Sequence, residues 1–416
     1  MEPRTPAALM HLRDGAQAFP TWLESIAAAR REILLEMYWF ASDPTGWRFA
    51  EALSRRARDG LDVFVLFDSV GSLGTDRDIF AEMERSGVVL REYNPVAPWR
   101  AAFRWGRLWH RDHRKMLVVD GETAFVGGIN IHDEAAPKDE GGGGWRDDCA
   151  RVLGDAVDEL RRLFFDNWLK RGGPAPRSGI PPMKRPRREV ERAAQTQDGS
   201  LPAAHHPAYD GAFARLVPVE ESTVRARVRR AEQLRASPVQ VLGHPVRGAA
   251  RNIRRLYLFH IRTAERAILI ENAYFMPDPR VRRALERAAQ RGVEVRIIVP
   301  REPDVRAVGF ASQATFGPLL RAGVSIHEWT MGMMHAKTAL IDDWATVGSF
   351  NLDRRSLRYN LELNVAATAT PFVAEVEASI RSDLLLCEAI DPAEWARRSP
   401  WRRLVTWVYY LFRGLL

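Results

Sequence analysis

Two stretches of the chain carry the same order of apolar and polar positions. In the first, the apolar run within ARREILLEMYWF (residues 29–40) gives way to FAEALSRRARDG, whose apolar residues recur at helical spacing, and then to the apolar LDVFVLFDS. In the second, AERAILIENAYF (264–275) is followed by VRRALERAAQRG and VEVRIIVP. Short continuous apolar runs predict strands buried on both faces, and the amphipathic stretch between them predicts a helix lying on a parallel or mixed sheet. Gly60 and Gly292 stand where each helix should end. Each copy is followed by a third element, HRDHRKMLVVDGETAFVGGIN (110–130) and MHAKTALIDDWATVGSFN (334–351). Strand, helix, strand and motif, repeated in the same order, predict an α/β protein made by internal duplication.

The copies are separated by RGGPAPRSGIPPMKRPRREVERAAQTQDGSLPAAHHPAYDG (171–211), rich in Pro, Gly and charge and without apolar periodicity. It reads as a linker, with a polar-faced helix expected over 220–236. The expected divisions are a first lobe over 1–172, a linker over 173–237, a second lobe over 238–398 opening on the strand-like VQVLG, and a tail over 399–416. As a helix, WRRLVTWVYYLFRGLL (401–416) puts Leu404, Trp407, Val408, Leu411 and Leu415 on one side, flanked by Arg402, Arg403 and Arg413. It is too short to span a bilayer, and its aromatics favour contact with a membrane surface over simple docking on the core.

Composition narrows the classes further. The 416 residues are 46% hydrophobic, enough for one or two cores. A net charge of +8 favours phosphate-bearing partners, nucleic acid or anionic lipid, though an abundance of surface arginine gives the same number. The two cysteines, Cys149 and Cys387, form no metal-ligand or redox spacing, and the N-terminus has no basic start followed by an apolar run.

The chemistry lies in the third element. His113, Lys115 and Asp120 recur as His335, Lys337 and Asp342, in each case with Asp five residues after Lys. Gly127, Gly128 and Asn130 recur as Gly348, Ser349 and Asn351, one residue closer to the Asp in the second copy. A histidine and a lysine two apart on a strand point to one face. The ammonium suits an anionic phosphate while the imidazole attacks phosphorus or moves a proton. Small residues after the strand let backbone and substrate approach closely. Lysine is not an ordinary metal ligand, so paired histidines beside lysines argue against a metal centre, and neither metal nor cofactor is called for.

The repeated H-x-K-x4-D-x6-G-G/S-x-N pattern resembles the signature of the phospholipase D superfamily. Within it, DGAQAFPTWLESI, EMYWFASDPTG, HRDHRKMLVVDG, FVGGINI, ENAYFMPD and VGSFNLDRRSL are similar to bacterial cardiolipin synthases that lack N-terminal membrane helices. The first motif matches in full. The second has five residues, 343–347, between Asp342 and Gly348, which predicts a shortened hairpin turn.

The resemblance implies two similar phospholipase D-like lobes, each a mixed β-sheet flanked by helices, sharing one active site. It implies a two-step reaction through a phosphohistidine, with His113 as nucleophile and His335 as acid/base, among the signature residues His113, Lys115, Asp120, His335, Lys337 and Asp342. Asp120 and Asp342 are expected to be structural, near the turns. Each histidine needs a carboxylate on its other nitrogen. WRDD (145–148) offers Asp147 for His113, with Asp148 as the alternative, and NLELN (360–364) offers Glu362 for His335. Lys115, Lys337, Asn130, Asn351, Gly128 and Ser349 are expected at the phosphate. His110 is a candidate for the pocket edge, and His132, His205 and His206 for the surface. Trp99, Trp105 and Trp109, interleaved with Arg100, Arg104 and Arg107, suit a headgroup rim, a nucleic-acid surface or ordinary packing alike.

The implied activity is a phosphatidyl transfer that forms cardiolipin from phosphatidylglycerol and a second phospholipid, phosphatidylethanolamine or cardiolipin among the candidates. The protein would sit peripherally on the cytoplasmic face of a bacterial inner membrane. Hydrolysis by the same residues and a nuclease activity are the alternatives. An internal duplication counts against the nuclease, since simple nucleases of this superfamily carry one motif and dimerise.

Overall fold

Strand β2 (Glu32–Met37) is buried along its whole length and anchors the first lobe. It pairs in parallel with β3 (Asp62–Asp68), and β3 in parallel with β4 (Val89–Tyr93). The crossovers are α2 (Pro44–Arg58) and α3 (Arg77–Arg85), and β1 (Ala8–Arg13) and α1 (Asp14–Ala28) precede them. On the other side of β2 an antiparallel run follows, β5 (Met116–Val119), β6 (Thr123–Gly127) and β7 (Asp148–Leu153), closed by α4 (Ala156–Leu169). The sheet order is β1-β7-β6-β5-β2-β3-β4. The computed structural model describes residues 7–99, 103–177, 179, 239–243 and 249–414. The helix expected over 220–236 and nearly all of the expected linker lie outside them.

The second lobe repeats the plan. Its elements are β8 (Val239–Gly243), α5 (Ala249–Thr263), β9 (Ala267–Asn272), α6 (Pro279–Gln290), β10 (Glu294–Pro300), α7 (Arg306–Arg321), β11 (Ser325–Trp329), β12 (Lys337–Ile341) and β13 (Trp344–Gly348). These are followed by α8 (Arg354–Arg358), β14 (Leu363–Thr368), α9 (Pro371–Leu384), β15 (Cys387–Ala389), α10 (Pro392–Ala396) and α11 (Pro400–Leu411). Read from β8, the order β8-β14-β13-β12-β9-β10-β11 matches the first sheet strand for strand, with β15 added at the far edge.

Local sequence explains the shared boundaries. Both α2 and α6 open on an Asp-Pro pair: Asp43 accepts from the Gly46 N–H and Asp278 from the Arg280 N–H, with proline fitted to the first turn. The helices therefore begin before the apolar periodicity that predicts them. Each ends at a glycine in the left-handed region, Gly60 at φ +88° and Gly292 at φ +90°.

The β5–β6 connection has three residues, between the pairs Val119–Thr123, while the β12–β13 connection has two, between Ile341 and Trp344. The residue missing from the second motif is thus missing from the turn, and the strands bearing the chemistry keep their register.

One apolar core joins the lobes. Leu160, Phe164 and Trp168 of α4 belong to the same buried cluster as Val347, Leu363 and Val365 of the second sheet. At about 1.5–3 kcal/mol for each fully buried large side chain, this cluster holds the lobes as one unit. Polar groups also cross the boundary: the buried Arg146 guanidinium meets Asp148 at 2.6 Å in its own lobe, and Asp383 at 2.6 Å and Glu271 at 3.2 Å in the other. A site built at this boundary rests on rigid elements from both sides.

Candidate active site

His113 and Lys115 precede β5, while Lys337 opens β12 two residues after His335. The boundary runs between these segments, and parallel bridges cross it twice, Asp112 with Leu361 and Arg146 with Met334. The His113 N–H donates to the Leu361 carbonyl at 3.0 Å, and the His335 N–H donates to the Arg146 carbonyl at 2.6 Å. Each histidine is thereby laid beside the other lobe's carboxylate.

The carboxylates consequently pair across the lobes. His113 Nδ1 meets Glu362 Oε2 at 3.1 Å, and His335 Nδ1 meets Asp147 Oδ2 at 2.7 Å. This corrects the expected pairing of Asp147 with His113 and Glu362 with His335. Within a lobe, β6 lies between β5 and β7, so Asp147, just before β7, is two strands away from His113, about 10 Å in sheet spacing. Asp148, the alternative to Asp147, is taken up by Arg146 at 2.6 Å and His11 at 2.7 Å. With Nδ1 engaged, each imidazole has Nε2 left for chemistry.

Gly128 and Ser349 follow directly on β6 and β13. Their backbone N–H groups are spent on Asp148 and Leu363 carbonyls at 2.9 and 3.0 Å. A Cβ on Gly128 would lie 2.2 Å from Asp147 Oδ1, and the Ser349 hydroxyl donates to Glu362 Oε2 at 2.5 Å. Both residues therefore shape the carboxylates behind the imidazoles. Asn130 is fixed by its Oδ1, which accepts from the Trp39 N–H at 3.1 Å. Asn351 Oδ1 is buried with no hydrogen-bond partner among the described residues. Turned over, the same carboxamide presents two N–H donors there.

Asp120 and Asp342 lie in the hairpin turns, both in the left-handed region at φ +54° and +52°. Asp120 accepts from the N–H groups of Arg30, Arg31 and Glu32 at 2.7–3.0 Å. Asp342 does the same for Glu265, Arg266 and Ala267 at 2.9–3.0 Å. The motif's aspartate ties the hairpin to the first buried strand of its lobe, and its repetition is explained by fold, not chemistry.

Burial dominates the electrostatics. It holds both imidazoles well below the usual histidine range, with Lys115 and Lys337 adding repulsion at His113, and Lys337 at His335. It pushes Lys115 down to about 7, helped by Lys337, and Lys337 down to about 8, opposed by Asp147. The same burial pushes Glu362 up to about 7, opposed chiefly by Lys115, and Asp147 up to about 6, opposed chiefly by Lys337. Near neutrality the site holds two uncharged imidazoles, two lysines near their titration points and two carboxylates of unequal acidity, a set suited to nucleophilic attack and proton transfer at an anionic centre.

Several neighbours escape a reading of the sequence. The Tyr38 ring packs edge-on to His113 with centroids 4.9 Å apart and carries the Lys115 ammonium 5.0 Å from its centroid. Tyr274 packs on His335 at 6.2 Å, its hydroxyl held by Asp304. The aromatics after the first strand of each copy, in EMYWF and ENAYF, are the signal that could have found them. His132, expected at the surface, is 1% exposed. It stacks on Trp39 at 4.0 Å and meets Trp145, which itself packs on His335 at 5.7 Å. Burial, with His335 nearby, pushes His132 down to about 3. His110 is partly buried, Nδ1 3.1 Å from the Tyr359 carbonyl at the lobe boundary. His205 and His206 lie outside the described residues.

A duplicated sheet with one histidine and one lysine from each half meeting at the boundary defines a phospholipase D-type enzyme. The family described as cardiolipin synthase, PLD-like domain, matches residues 22–140 and 257–384, and this chain belongs to it. The chain is 31% identical over 406 residues to a cardiolipin synthase of a Geobacillus species, covering 97% of this chain and 72% of that one. It is 29% identical over 417 residues to a probable cardiolipin synthase of Bacillus subtilis, covering 100% and 74%. Among solved structures, a phosphatidylserine synthase of Haemophilus influenzae superposes with a TM-score of 0.67 at 13% identity, over 98% of this chain and 95% of that one. At that identity the likeness concerns the fold.

Proposed function

We propose that the protein is a phosphatidyltransferase that forms cardiolipin from phosphatidylglycerol and a second phospholipid through a phosphohistidine. His113 Nε2 attacks phosphorus, the bond from phosphorus to the headgroup oxygen breaks, and His335 protonates the departing alcohol. His335 then takes the proton from a glycerol hydroxyl of phosphatidylglycerol, the acceptor. That oxygen attacks phosphorus and the phosphorus–nitrogen bond breaks, freeing His113. Lys115, Lys337, Asn130 and Asn351 hold the phosphoryl oxygens, and the anionic substrate restores charge to lysines that burial depresses.

The observation that carries this reading is the pair of buried imidazoles, each held at Nδ1 by a carboxylate of the opposite lobe. The inequality of the two pairs supports this order of roles. Asp147, the more acidic carboxylate at the shorter distance, supports a cation on His335, while the less acidic Glu362 leaves His113 neutral and nucleophilic. The proposed place of action is the cytoplasmic face of a bacterial inner membrane, with peripheral attachment; no helix among the described residues is long and apolar enough to cross a membrane.

Incubating the purified protein with phosphatidylglycerol vesicles, with and without phosphatidylethanolamine, and reading products by mass spectrometry tests the proposal. Cardiolipin with glycerol or ethanolamine supports transfer and identifies the donor. Phosphatidic acid alone moves the assignment to hydrolysis, and the absence of any lipid product removes phospholipids as substrates.

A further inference from the structure

A second basic cavity lies apart from the two histidines. It encloses about 580 Å³ between α5, α8 and the end of α11, and its walls include Arg251, Arg254, Arg354, Arg358, Arg413 and Tyr410. Arg254 is paired with Asp278 at 3.2 Å. Among the described residues, Arg251, Arg354, Arg358 and Arg413 have no carboxylate within ion-pair distance, and Asp278 is the one acidic residue in the cavity wall. Five guanidinium groups facing one carboxylate leave a strongly positive hollow, and guanidinium groups match the oxygens of a phosphate diester.

The surface beside the cavity is apolar. Helix α11 packs on α7 through one face, with Thr406 buried and Tyr409 stacked on Phe310 at 5.2 Å. Its other face is open: Trp401 is 71% exposed, Trp407 54% and Leu411 53%, with Leu404, Val408 and Phe412 also exposed. One face of the tail is thus docked on the core and one face is free. Tyr410 and Arg413, at the end of this helix, form part of the cavity wall. Helix α8 links the cavity to the catalytic centre, since Arg355, between Arg354 and Arg358, is among the charges that depress His113. At the end of α8, Tyr359 meets His110, which follows the exposed Trp109.

We propose that this cavity binds the headgroup phosphate of an anionic phospholipid in a bilayer surface, with the open face of α11 lying among the headgroups beside it. Positive charge beside an exposed aromatic and aliphatic face is the chemistry of an interfacial helix on an anionic membrane. The bound lipid is separate from the one undergoing reaction, and it brings the catalytic mouth to the surface that supplies substrate. The inference rests on the phospholipid reading of the active site for its purpose, but binding is measurable without turnover.

The test uses full-length protein carrying His113→Ala, sedimented with vesicles of phosphatidylcholine alone or mixed with phosphatidylglycerol. Binding is expected on the mixed vesicles and to fall with salt. Adding Arg251→Ala with Arg358→Ala should weaken it about thirtyfold, the loss of two arginines at an anionic surface. Adding Trp407→Ala with Leu411→Ala should weaken it as well. In the active protein, the arginine pair should lower turnover on vesicles and leave turnover of monomeric short-chain phosphatidylglycerol unchanged. Equal binding by the arginine variant, equal losses on vesicles and monomers, or displacement of the vesicles by a single-stranded oligonucleotide would each overturn the proposal. If cardiolipin formation fails while this arginine-dependent binding persists, the function is wrong and the docking site stands.

Discussion

Glu362 Oε2 lies 3.1 Å from Nδ1 of His113 although the two belong to different lobes. The reciprocal contact joins Asp147 and His335 at 2.7 Å. Neither motif histidine finds its carboxylate within its own lobe, so the candidate catalytic centre exists only when the lobes are joined.

The crossed pairing assigns each carboxylate to one histidine, Glu362 to the proposed nucleophile and Asp147 to the proposed acid/base. Glu362→Gln should slow formation of the phosphohistidine, and Asp147→Asn should slow both its formation from a natural lipid and its breakdown, each by about 10²–10⁴-fold. A phosphatidyl ester of p-nitrophenol separates the halves, because its leaving group needs no proton. Glu362→Gln should then slow the initial release of nitrophenolate, and Asp147→Asn only the later turnover. The opposite assignment would restore the pairing within each lobe.

Gly128 makes room for Asp147. In Gly128→Ala the new Cβ, 2.2 Å from Oδ1, must displace that carboxylate from His335. Turnover should fall about 100-fold, as for loss of a general acid/base, with a small change in the thermal midpoint. Unchanged turnover would return Gly128 to the phosphate-binding role that its place in the motif suggests.

The profile of kcat/KM against pH should be a narrow bell. Asp147 and Glu362, raised to about 6 and 7, gain protons as pH falls through those values and lose their hold on the imidazolium. Lys115 and Lys337, depressed to about 7 and 8, lose their charges as pH rises and no longer attract the phosphodiester. The basic limb of kcat should lie higher, because bound substrate raises both lysines. Steady-state kinetics on monomeric short-chain substrate measures both limbs, and a flat profile through this range contradicts the electrostatics.

Lys115 illustrates function held at a cost in stability. Its ammonium lies buried with its pKa lowered from 10.5 to about 7. The folded state therefore disfavours the charge. That cost is fully present below pH 7 and is relieved as pH rises toward the unfolded value near 10. Lys115→Met should abolish turnover while raising the thermal midpoint, more on the acid side of pH 7 than near pH 10. A lowered midpoint at every pH would show that the hydrogen bond from Nζ to the His113 carbonyl, 2.7 Å long, outweighs desolvation.

Much of the fold could be read directly, because the deciding features are local. Apolar runs gave the buried strands β2, β3, β9 and β10, Gly60 and Gly292 gave the helix ends, and the repeated motif gave the duplication. The signature histidines and lysines were equally legible. What escaped depends on contacts between lobes. Asp147 lies 34 positions from His113 in sequence and 188 from His335, yet bonds to the second. Only the bridges of Asp112 with Leu361 and Arg146 with Met334 bring it there. Motif spacing likewise does not reveal that the Ser349 hydroxyl turns back to Glu362. His132 looked exposed because its stacking partners, Trp39 and Trp145, come from distant loops.

The central claim is that His113 carries the covalent intermediate and His335 moves the protons. It is tested most directly by burst kinetics on a phosphatidyl ester of p-nitrophenol with His113→Asn and His335→Asn. The account predicts that His335→Asn releases one nitrophenolate per chain rapidly and then stalls, with the added mass on the peptide containing His113. His113→Asn should give no burst. A burst in His113→Asn, or in neither variant, contradicts the account.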